Sequence, residues 1–137
     1  MKIFSEKVKY GLAALFELAK NYNSGYLQIK DIASAQDIPQ NYLEQLLIKL
    51  KDADLVKSTR GMKGGYKLNK PANIIKVIDL IEALEGEITI FETVEPSTVL
   101  GIYWTDIEDN FKELFNSTLE DFINEDNALH KRLFYHI

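Results

Sequence analysis

The sequence contains no cysteine and only two histidines. Without a thiol, the chain cannot form a disulfide, act as a thiol switch or hold an iron–sulfur cluster through thiolates. The two histidines, His130 and His136, are six residues apart, a spacing that does not place both on one face of a helix. We therefore predict no metal site and no cofactor.

Long apolar runs and catalytic motifs are also missing. No segment is apolar over the length that spans a bilayer, and residues 1–5 lack the hydrophobic region of a signal peptide. We therefore expect a cytoplasmic protein without a membrane partner. There is no phosphate-binding glycine loop and no nucleophile elbow. Neighbouring carboxylates such as Glu108 and Asp109 diverge on a helix, and we predict that the protein is not an enzyme.

The net charge of -5 is distributed unevenly over the 137 residues. Residues 1–70 carry twelve Lys and Arg against seven Asp and Glu, whereas residues 71–137 carry four against fourteen. A basic first half beside an acidic second half is typical of a nucleic-acid-binding face on an acidic body. The alternative is chance clustering of solvated charges. The length suits one domain with a proper core.

Apolar residues recur at helical spacing in the first half, which predicts helices over residues 5–21, 29–36 and 39–52. Ser5 is a suitable N-cap for the first helix. Pro39 fits the first turn of the third helix, where no amide needs a partner. A short strand candidate covers residues 26–28. The turn at Asp37 and Ile38 makes the second and third helices a helix-turn-helix.

A hairpin with a glycine-rich, basic tip follows these helices. Residues 55–58 and 66–68 are its strand candidates, and the tip holds Gly61, Gly64 and Gly65, which permit positive φ. A helix-turn-helix followed by such a hairpin predicts a winged helix-turn-helix in a mainly α protein.

The second half is predicted to be helical apart from an irregular loop at residues 87–98. A helix over residues 74–84 is apolar nearly all round, so we expect it to be deeply buried. A long helix covers residues 98–115, and the pattern from Ser117 to Glu120 is a capping box that opens a last helix. A heptad-like seam on the long helix predicts a dimer interface formed by Leu100, Trp104, Ile107, Phe111 and Leu114.

These patterns divide the chain into three parts. Residues 1–86 form the winged helix-turn-helix DNA-binding domain, and residues 87–98 form a connecting loop. Residues 99–137 hold the dimerisation helix and the C-terminal helix. The corresponding function is a sequence-specific DNA-binding regulator of transcription.

The third helix begins with polar residues that could read bases: Gln40, Asn41, Tyr42, Glu44 and Gln45. The start of a helix inserted in the major groove meets base edges. Asn and Gln can pair with adenine, and Glu can accept from the cytosine amino group. The alternative is an ordinary exposed helix start. The wing that follows favours base readout.

Arg60 at the hairpin tip is the strongest single candidate, because an arginine flanked by glycine can enter a narrow minor groove. The wing residues that we predict to lie at DNA beside it are Gly61, Lys63, Gly64, Gly65 and Tyr66. Phosphate contacts are predicted for Lys7, Lys9 and Tyr10, and also for Lys49 and Lys67. For any one lysine the alternative is a solvated surface charge.

Several of these motifs resemble those of the Rrf-type winged-helix transcription regulators, the group that includes IscR, NsrR and CymR. The similar segments are residues 7–12 (KVKYGL), 31–33 (DIA), 42–46 (YLEQL), 60–68 (RGMKGGYKL) and 78–86 (IDLIEALEG). The resemblance implies a homodimer whose long helices cross, with two reading heads on a near-palindromic operator, and we predict that it is a repressor. It also implies base contacts near Asn41 and Glu44 and a minor-groove Arg60.

The chain departs from the cluster-binding members of that family at residues 87–105. Those members carry three cysteines there, and this chain has none. It cannot be an iron–sulfur sensor of that type, and it looks most like the cysteine-less CymR-type members. Phe4 is an extra residue relative to the family, and Val8 stands where the family usually has glycine.

The C-terminal residues 133–137 admit two interpretations. The resemblance implies cysteine synthase as a partner that could take up the terminal Ile137. Alternatively, Leu133, Phe134 and Ile137 pack the last helix onto the dimer. A rival function for the whole chain is a winged-helix protein-interaction module that works through its acidic half.

Overall fold

The computed structural model describes residues 1–135, so His136 and Ile137 lie outside the described part of the chain. Within it, the chain forms six α-helices and a two-stranded sheet in the order α1 (Glu6–Lys20), α2 (Ile29–Gln36), α3 (Gln40–Asp52), β1 (Val56–Thr59), β2 (Gly65–Leu68), α4 (Val77–Glu85), α5 (Val99–Glu113) and α6 (Leu119–Tyr135). This architecture confirms the predicted mainly α winged helix-turn-helix. None of the described helices has both the length and the apolar character needed to cross a membrane.

The helix-turn-helix is formed by α2 and α3. Asp37 ends α2 in the left-handed conformation, with φ at 52°, and the amide of Ile38 donates to the carbonyl of Ala33 at 3.0 Å. Ile38 is buried, so the turn is held by the core as well as by its backbone. Pro39 precedes α3 as its N-cap and is not its first residue; the predicted start was one residue early.

The core lies between α1, α3 and α4. Leu15, Leu43 and Leu80 have no exposed surface. Gly11 permits the close approach of α1 to α4, because a Cβ there would lie 2.8 Å from Leu84 Cδ1 and 2.9 Å from Leu80 Cδ1. Truncating a fully buried leucine to alanine typically costs about 2–5 kcal/mol.

The wing consists of β1, β2 and the tip residues 60–64. The strands are antiparallel, with Val56 opposite Leu68 and Thr59 opposite Gly65. The strand predicted at residues 26–28 is present as a single bridge: Leu27 and Tyr66 exchange two backbone hydrogen bonds of 2.8 Å each.

The glycines of the wing differ in their roles. Gly61 and Gly65 have positive φ, at 107° and 140°. Gly64 does not, and what it provides is space: a Cβ there would lie 2.5 Å from the carbonyl oxygen of Thr59. The positive φ that the three glycines permit is therefore used at Gly61 and Gly65 and not at Gly64.

The buried helix predicted over residues 74–84 begins later, at Val77. Residues Ala72–Ile74 form a 3-10 turn, and Ile74 is 56% exposed. The chain is extended at Ile75, and its carbonyl accepts the amide of Leu119 at 3.0 Å. Because the Ile75 carbonyl is bonded to the first residue of α6, Ile75 does not continue into α4.

The last helix also begins one residue later than its sequence pattern indicated. Thr118 is the capping residue: its amide donates to Asp121 Oδ2 at 2.8 Å, and its Oγ1 accepts the amide of Asp121 at 3.1 Å. The predicted pair of Ser117 and Glu120 does not form the box, and the Ser117 carbonyl accepts the amide of Val77 at 3.0 Å.

Candidate DNA-binding surface

The polar residues at the start of α3 face away from the core. Gln40, Asn41, Glu44 and Gln45 are exposed. The opposite face of the helix is buried through Leu43, Leu46, Leu47 and Leu50. Helical geometry alone produces this separation, because residues four apart lie one above the other. Four side chains with amide or carboxylate ends are therefore free to meet a ligand together.

The wing lies beside this exposed face of α3. The pKa of Tyr66 is raised, first by burial of its phenol and then by the carboxylate of Glu44. The root of the wing and the first turns of α3 are thus electrostatic neighbours. One groove joins them, and it is lined by Gln28, Ile29, Lys30, Gln40, Ser58, Thr59, Arg60, Gly61, Gly64, Gly65 and Tyr66.

Arg60 is exposed at the end of this groove. Its guanidinium forms no hydrogen bond and no ion pair with any residue in the part of the chain that the structure describes. Lys63, three residues further along the tip, is also exposed and lines a neighbouring concavity with Gln28 and Lys30. Both positive groups are available to an anionic ligand without first breaking a contact within residues 1–135.

Lys7 of α1 lies close to Lys49 of α3. The pKa of Lys49 is lowered, first by contact of its amino group with that of Lys7 and then by repulsion between the two charges. Glu85 acts in the opposite direction on the same group. A phosphate between two neighbouring ammonium groups would relieve their repulsion, so the pair suits a backbone contact to DNA.

Lys9 and Tyr10 already have partners within the chain. Lys9 Nζ is 2.6 Å from Glu6 Oε2, and both side chains are exposed. Such surface pairs contribute about 0–1 kcal/mol, so a phosphate could displace Glu6. The ring of Tyr10 packs edge-to-face on that of Tyr42, with 5.5 Å between the centroids. Both tyrosines are half-buried against the core, so their rings contribute to the packing of α1 against α3.

Three features of this surface had no signal in the sequence. Gln28 and Lys30 line the groove, although only folding brings them to the wing. The amino group of Lys67, predicted to lie near phosphates, is 5.3 Å from the ring centroid of Tyr26 and 5.9 Å from that of Tyr22. Lys51 donates to Ser58 Oγ at 2.7 Å and so ties α3 to β1.

The predicted seam on α5 is largely exposed in the single chain. Leu100 is 70% exposed and Leu114 73%, and Trp104 and Ile107 are exposed to 37% and 38%. Phe111 differs, because it is half-buried and packs against Phe4 and Phe115 of its own chain. Four of the five seam residues therefore leave apolar surface uncovered, and Val99, Ile102 and Tyr103 extend it.

No three metal-binding side chains converge within residues 1–135. His130 lies against Asp126, with its Nδ1 2.8 Å from the carbonyl oxygen of that residue.

A winged helix-turn-helix that presents polar helix residues beside a basic wing defines a DNA-binding transcription regulator. Residues 4–125 match the Rrf2 family model, which is described as an iron-dependent transcriptional regulator. The chain belongs to the Rrf2 family, whose members matched here are regulators of transcription and not enzymes.

Two relatives illustrate the match. The HTH-type transcriptional regulator CymR of Bacillus subtilis (strain 168) is 42% identical over 123 residues, which cover 88% of each protein. The HTH-type transcriptional regulator IscR of Cereibacter sphaeroides is 41% identical over 91 residues, 65% of this chain and 59% of that protein.

Solved structures agree with this assignment. The structure of CymR (YrzC), the global cysteine regulator of B. subtilis, superposes with a TM-score of 0.78 at 38% identity, covering 91% of this chain and 98% of that one. The structure of T. potens IscR superposes with a TM-score of 0.75 at 37% identity, covering 92% and 88%.

Proposed function

We propose that this protein is a homodimeric repressor that binds a near-palindromic operator. The observation that supports this most strongly is the shared groove that joins Gln40 of α3 to Arg60 of the wing. In this proposal α3 enters the major groove, where its amides and Glu44 read bases. Arg60 enters the adjacent minor groove. A good bidentate base contact discriminates by about 1–3 kcal/mol.

Phosphate contacts supply affinity in this proposal. Lys7, Lys49 and Lys63 belong to the basic first half of the chain, which holds twelve Lys and Arg against seven Asp and Glu. They would fix the protein on the duplex without reading its sequence. Because the ligand is chromosomal DNA, we place the protein in the cytoplasm.

The dimer would form through α5. Its exposed apolar side chains, among them Leu100 and Ile102, together with Leu114 just after its end, form the kind of patch that marks an interaction site. Residues 1–86 would then be the reading head, residues 87–98 a connecting loop and residues 99–137 the dimerisation part. Two heads related by a two-fold axis suit half-sites about one helical turn apart, roughly 34–36 Å.

The signal that controls this regulator would not be a cysteine-held iron–sulfur cluster. Although the family model is described as iron-dependent, the 137 residues contain no thiol to hold such a cluster. We propose instead that the CymR-like character of the chain extends to regulation by a protein partner.

The experiment that tests DNA recognition begins with capture of genomic fragments by the purified protein. Affinity for an enriched fragment is then measured by fluorescence anisotropy over a salt series, with a scrambled fragment of equal composition as control. With six to ten phosphate contacts, affinity should fall by about 10³ to 10⁵ between 50 and 200 mM salt. The scrambled fragment should bind at least about 10³-fold more weakly. Failure to enrich any fragment would favour the protein-interaction module.

The partner that we propose is cysteine synthase, with Ile137 as the docking residue. Ile137 lies outside the described residues, and the side chains just before it, Leu133, Phe134 and Tyr135, are exposed to 54%, 75% and 73%. They are thus free to pack on a second copy or to approach a partner. A terminal carboxylate beside an apolar side chain can be captured by backbone amides.

Deletion of Ile137 alone separates docking from packing. Docking predicts that binding to purified cysteine synthase is lost while stability barely changes. Packing predicts a stability loss of at most about 1.5–3 kcal/mol with DNA binding kept. Equal binding of cysteine synthase by the truncated and full-length chains would rule docking out.

A further inference from the structure

The backbone around Gln28 is tied to two elements at once. The preceding residue, Leu27, exchanges two hydrogen bonds of 2.8 Å with Tyr66 at the root of the wing. The carbonyl of Gln28 itself accepts the amides of Asp31 at 3.0 Å and Ile32 at 3.2 Å, which open α2. The Cα of Gln28 is therefore held at the junction of α2 and the wing.

The side chain of Gln28 reaches the tip of the wing. Its Nε2 donates to the carbonyl oxygen of Met62 at 3.2 Å, across 34 positions of sequence. Met62 is two residues after Arg60, and its own side chain is 95% exposed. Within residues 1–135, this is the one side-chain hydrogen bond that reaches the tip residues 60–64.

The tip has little else to hold it in place. Gly61 has a φ of 107°, and a turn is closed by the amide of Gly64 donating to the carbonyl of Gly61 at 2.9 Å. That bond shapes the tip internally but does not fix its position relative to α3. Glycine-rich backbone loses more conformational freedom on ordering than any other. A contact that orders it before binding therefore increases affinity.

We propose that Gln28 is a positioning residue for Arg60. By tying the wing tip to the start of α2, it sets the distance between Arg60 and the polar start of α3, whose Gln40 lines the same groove as Arg60 and Gln28. This inference rests on the proposed function of the wing in the minor groove. Gln28 acts through the wing and makes no base or phosphate contact of its own.

Leucine is the most informative replacement for Gln28. It is of similar size but has no donor, so Gln28→Leu removes the tie while preserving bulk. Asparagine is shorter by one methylene and would not span the distance. Glutamate would place a carboxylate against the Met62 carbonyl and would also add a negative charge near DNA. A change in affinity could then come from either effect. Circular dichroism and denaturant unfolding should first show that Gln28→Leu is folded.

The first test needs no DNA, because Arg60 and Lys63 are trypsin sites within the tip. The full chain is digested briefly with trypsin. Mass spectrometry of the fragments then gives the initial rate of cleavage after Arg60 and the initial rate after Lys63. Gln28→Leu should raise these rates about threefold to tenfold, the effect of losing one exposed hydrogen bond. Asn73→Leu, which replaces another exposed amide, is the matched control and should not change them. Equal rates in Gln28→Leu and the unaltered protein would overturn the proposal.

The second test is a double-mutant cycle on an enriched genomic fragment at low salt, where weak binding remains measurable. Gln28→Leu should lower affinity about threefold to tenfold when Arg60 is present, and less than about twofold in the Arg60→Ala background. An equal loss of affinity in both backgrounds would mean that Gln28 contacts DNA itself. No loss in either background would mean that the hydrogen bond to Met62 does not affect DNA binding. Either result overturns the proposal. If the unaltered protein enriches no fragment, the proposed function fails, while the proteolysis rates still decide whether Gln28 holds the wing.

Discussion

The ring of Tyr10 on α1 packs edge-to-face on the ring of Tyr42 on α3, with 5.5 Å between the centroids and 76° between the ring planes. Both residues are half-buried against the core. Tyr42 lies between Asn41 and Glu44, so this pair supports the part of α3 that presents polar side chains. Tyr10 and Tyr42, which we predicted as DNA contacts, also anchor α3 to α1.

Removal of either tyrosine ring should therefore destabilise the fold. Tyr10→Ala and Tyr42→Ala should each lower the free energy of unfolding by about 1–3 kcal/mol, less than the 3–5 kcal/mol of a fully buried aromatic. Their double mutant should reveal a coupling of about 0.5–1.5 kcal/mol in denaturant unfolding. Additive losses would show that the rings do not support each other. Tyr42→Phe keeps the ring, so any loss of DNA affinity in that variant reports on the hydroxyl.

Two glycines of the wing allow a matched comparison. A Cβ at Gly65 would lie 2.1 Å from the carbonyl oxygen of Leu27, whereas a Cβ at Gly61 meets nothing within 4 Å. Both have positive φ, so both alanine variants carry backbone strain of about 1–3 kcal/mol. Only Gly65→Ala must also break the bridge between Leu27 and Tyr66. We expect a larger stability loss for Gly65→Ala than for Gly61→Ala in thermal unfolding, and equal losses would contradict this role of Gly65.

Dimer formation can be tested at Leu100, which is 70% exposed in the single chain. An aspartate there remains solvated in the monomer, but in an apolar interface it would be an unpaired carboxylate that costs several kcal/mol, about 3–5. Leu100→Asp should therefore sediment as a monomer. Ile74→Asp alters an isoleucine of similar exposure, 56%, outside α5 and should remain a dimer. A dimer that survives Leu100→Asp would place the interface elsewhere.

The wing was predictable because its signals are local: glycines at the tip and short strands beside it. The helix-turn-helix was also predictable, since apolar spacing separates the buried leucines of α3 from its exposed polar residues. The ends of the helices were harder to predict. Ser117 with Glu120 and Thr118 with Asp121 both fit a capping box by sequence, and the structure forms the second pair.

The candidate site was only partly predictable for a related reason. Arg60 and the polar start of α3 are recognisable from residue type and position. Gln28 is not, because its link to Met62 joins residues 34 positions apart. Nor could the sequence indicate that Lys67 lies against Tyr22 and Tyr26, or that Phe111 packs on Phe4 of its own chain. Such roles depend on tertiary contacts between distant segments.

The central claim is that the wing and α3 bind DNA as one surface, and Arg60 tests it most directly. Its guanidinium is exposed and forms no hydrogen bond or ion pair within residues 1–135, so Arg60→Ala should leave circular dichroism, unfolding and sedimentation unchanged. Anisotropy with an enriched genomic fragment should then show that operator binding is lost, because the minor-groove contact has been removed. Affinity equal to that of the unaltered protein would contradict the account.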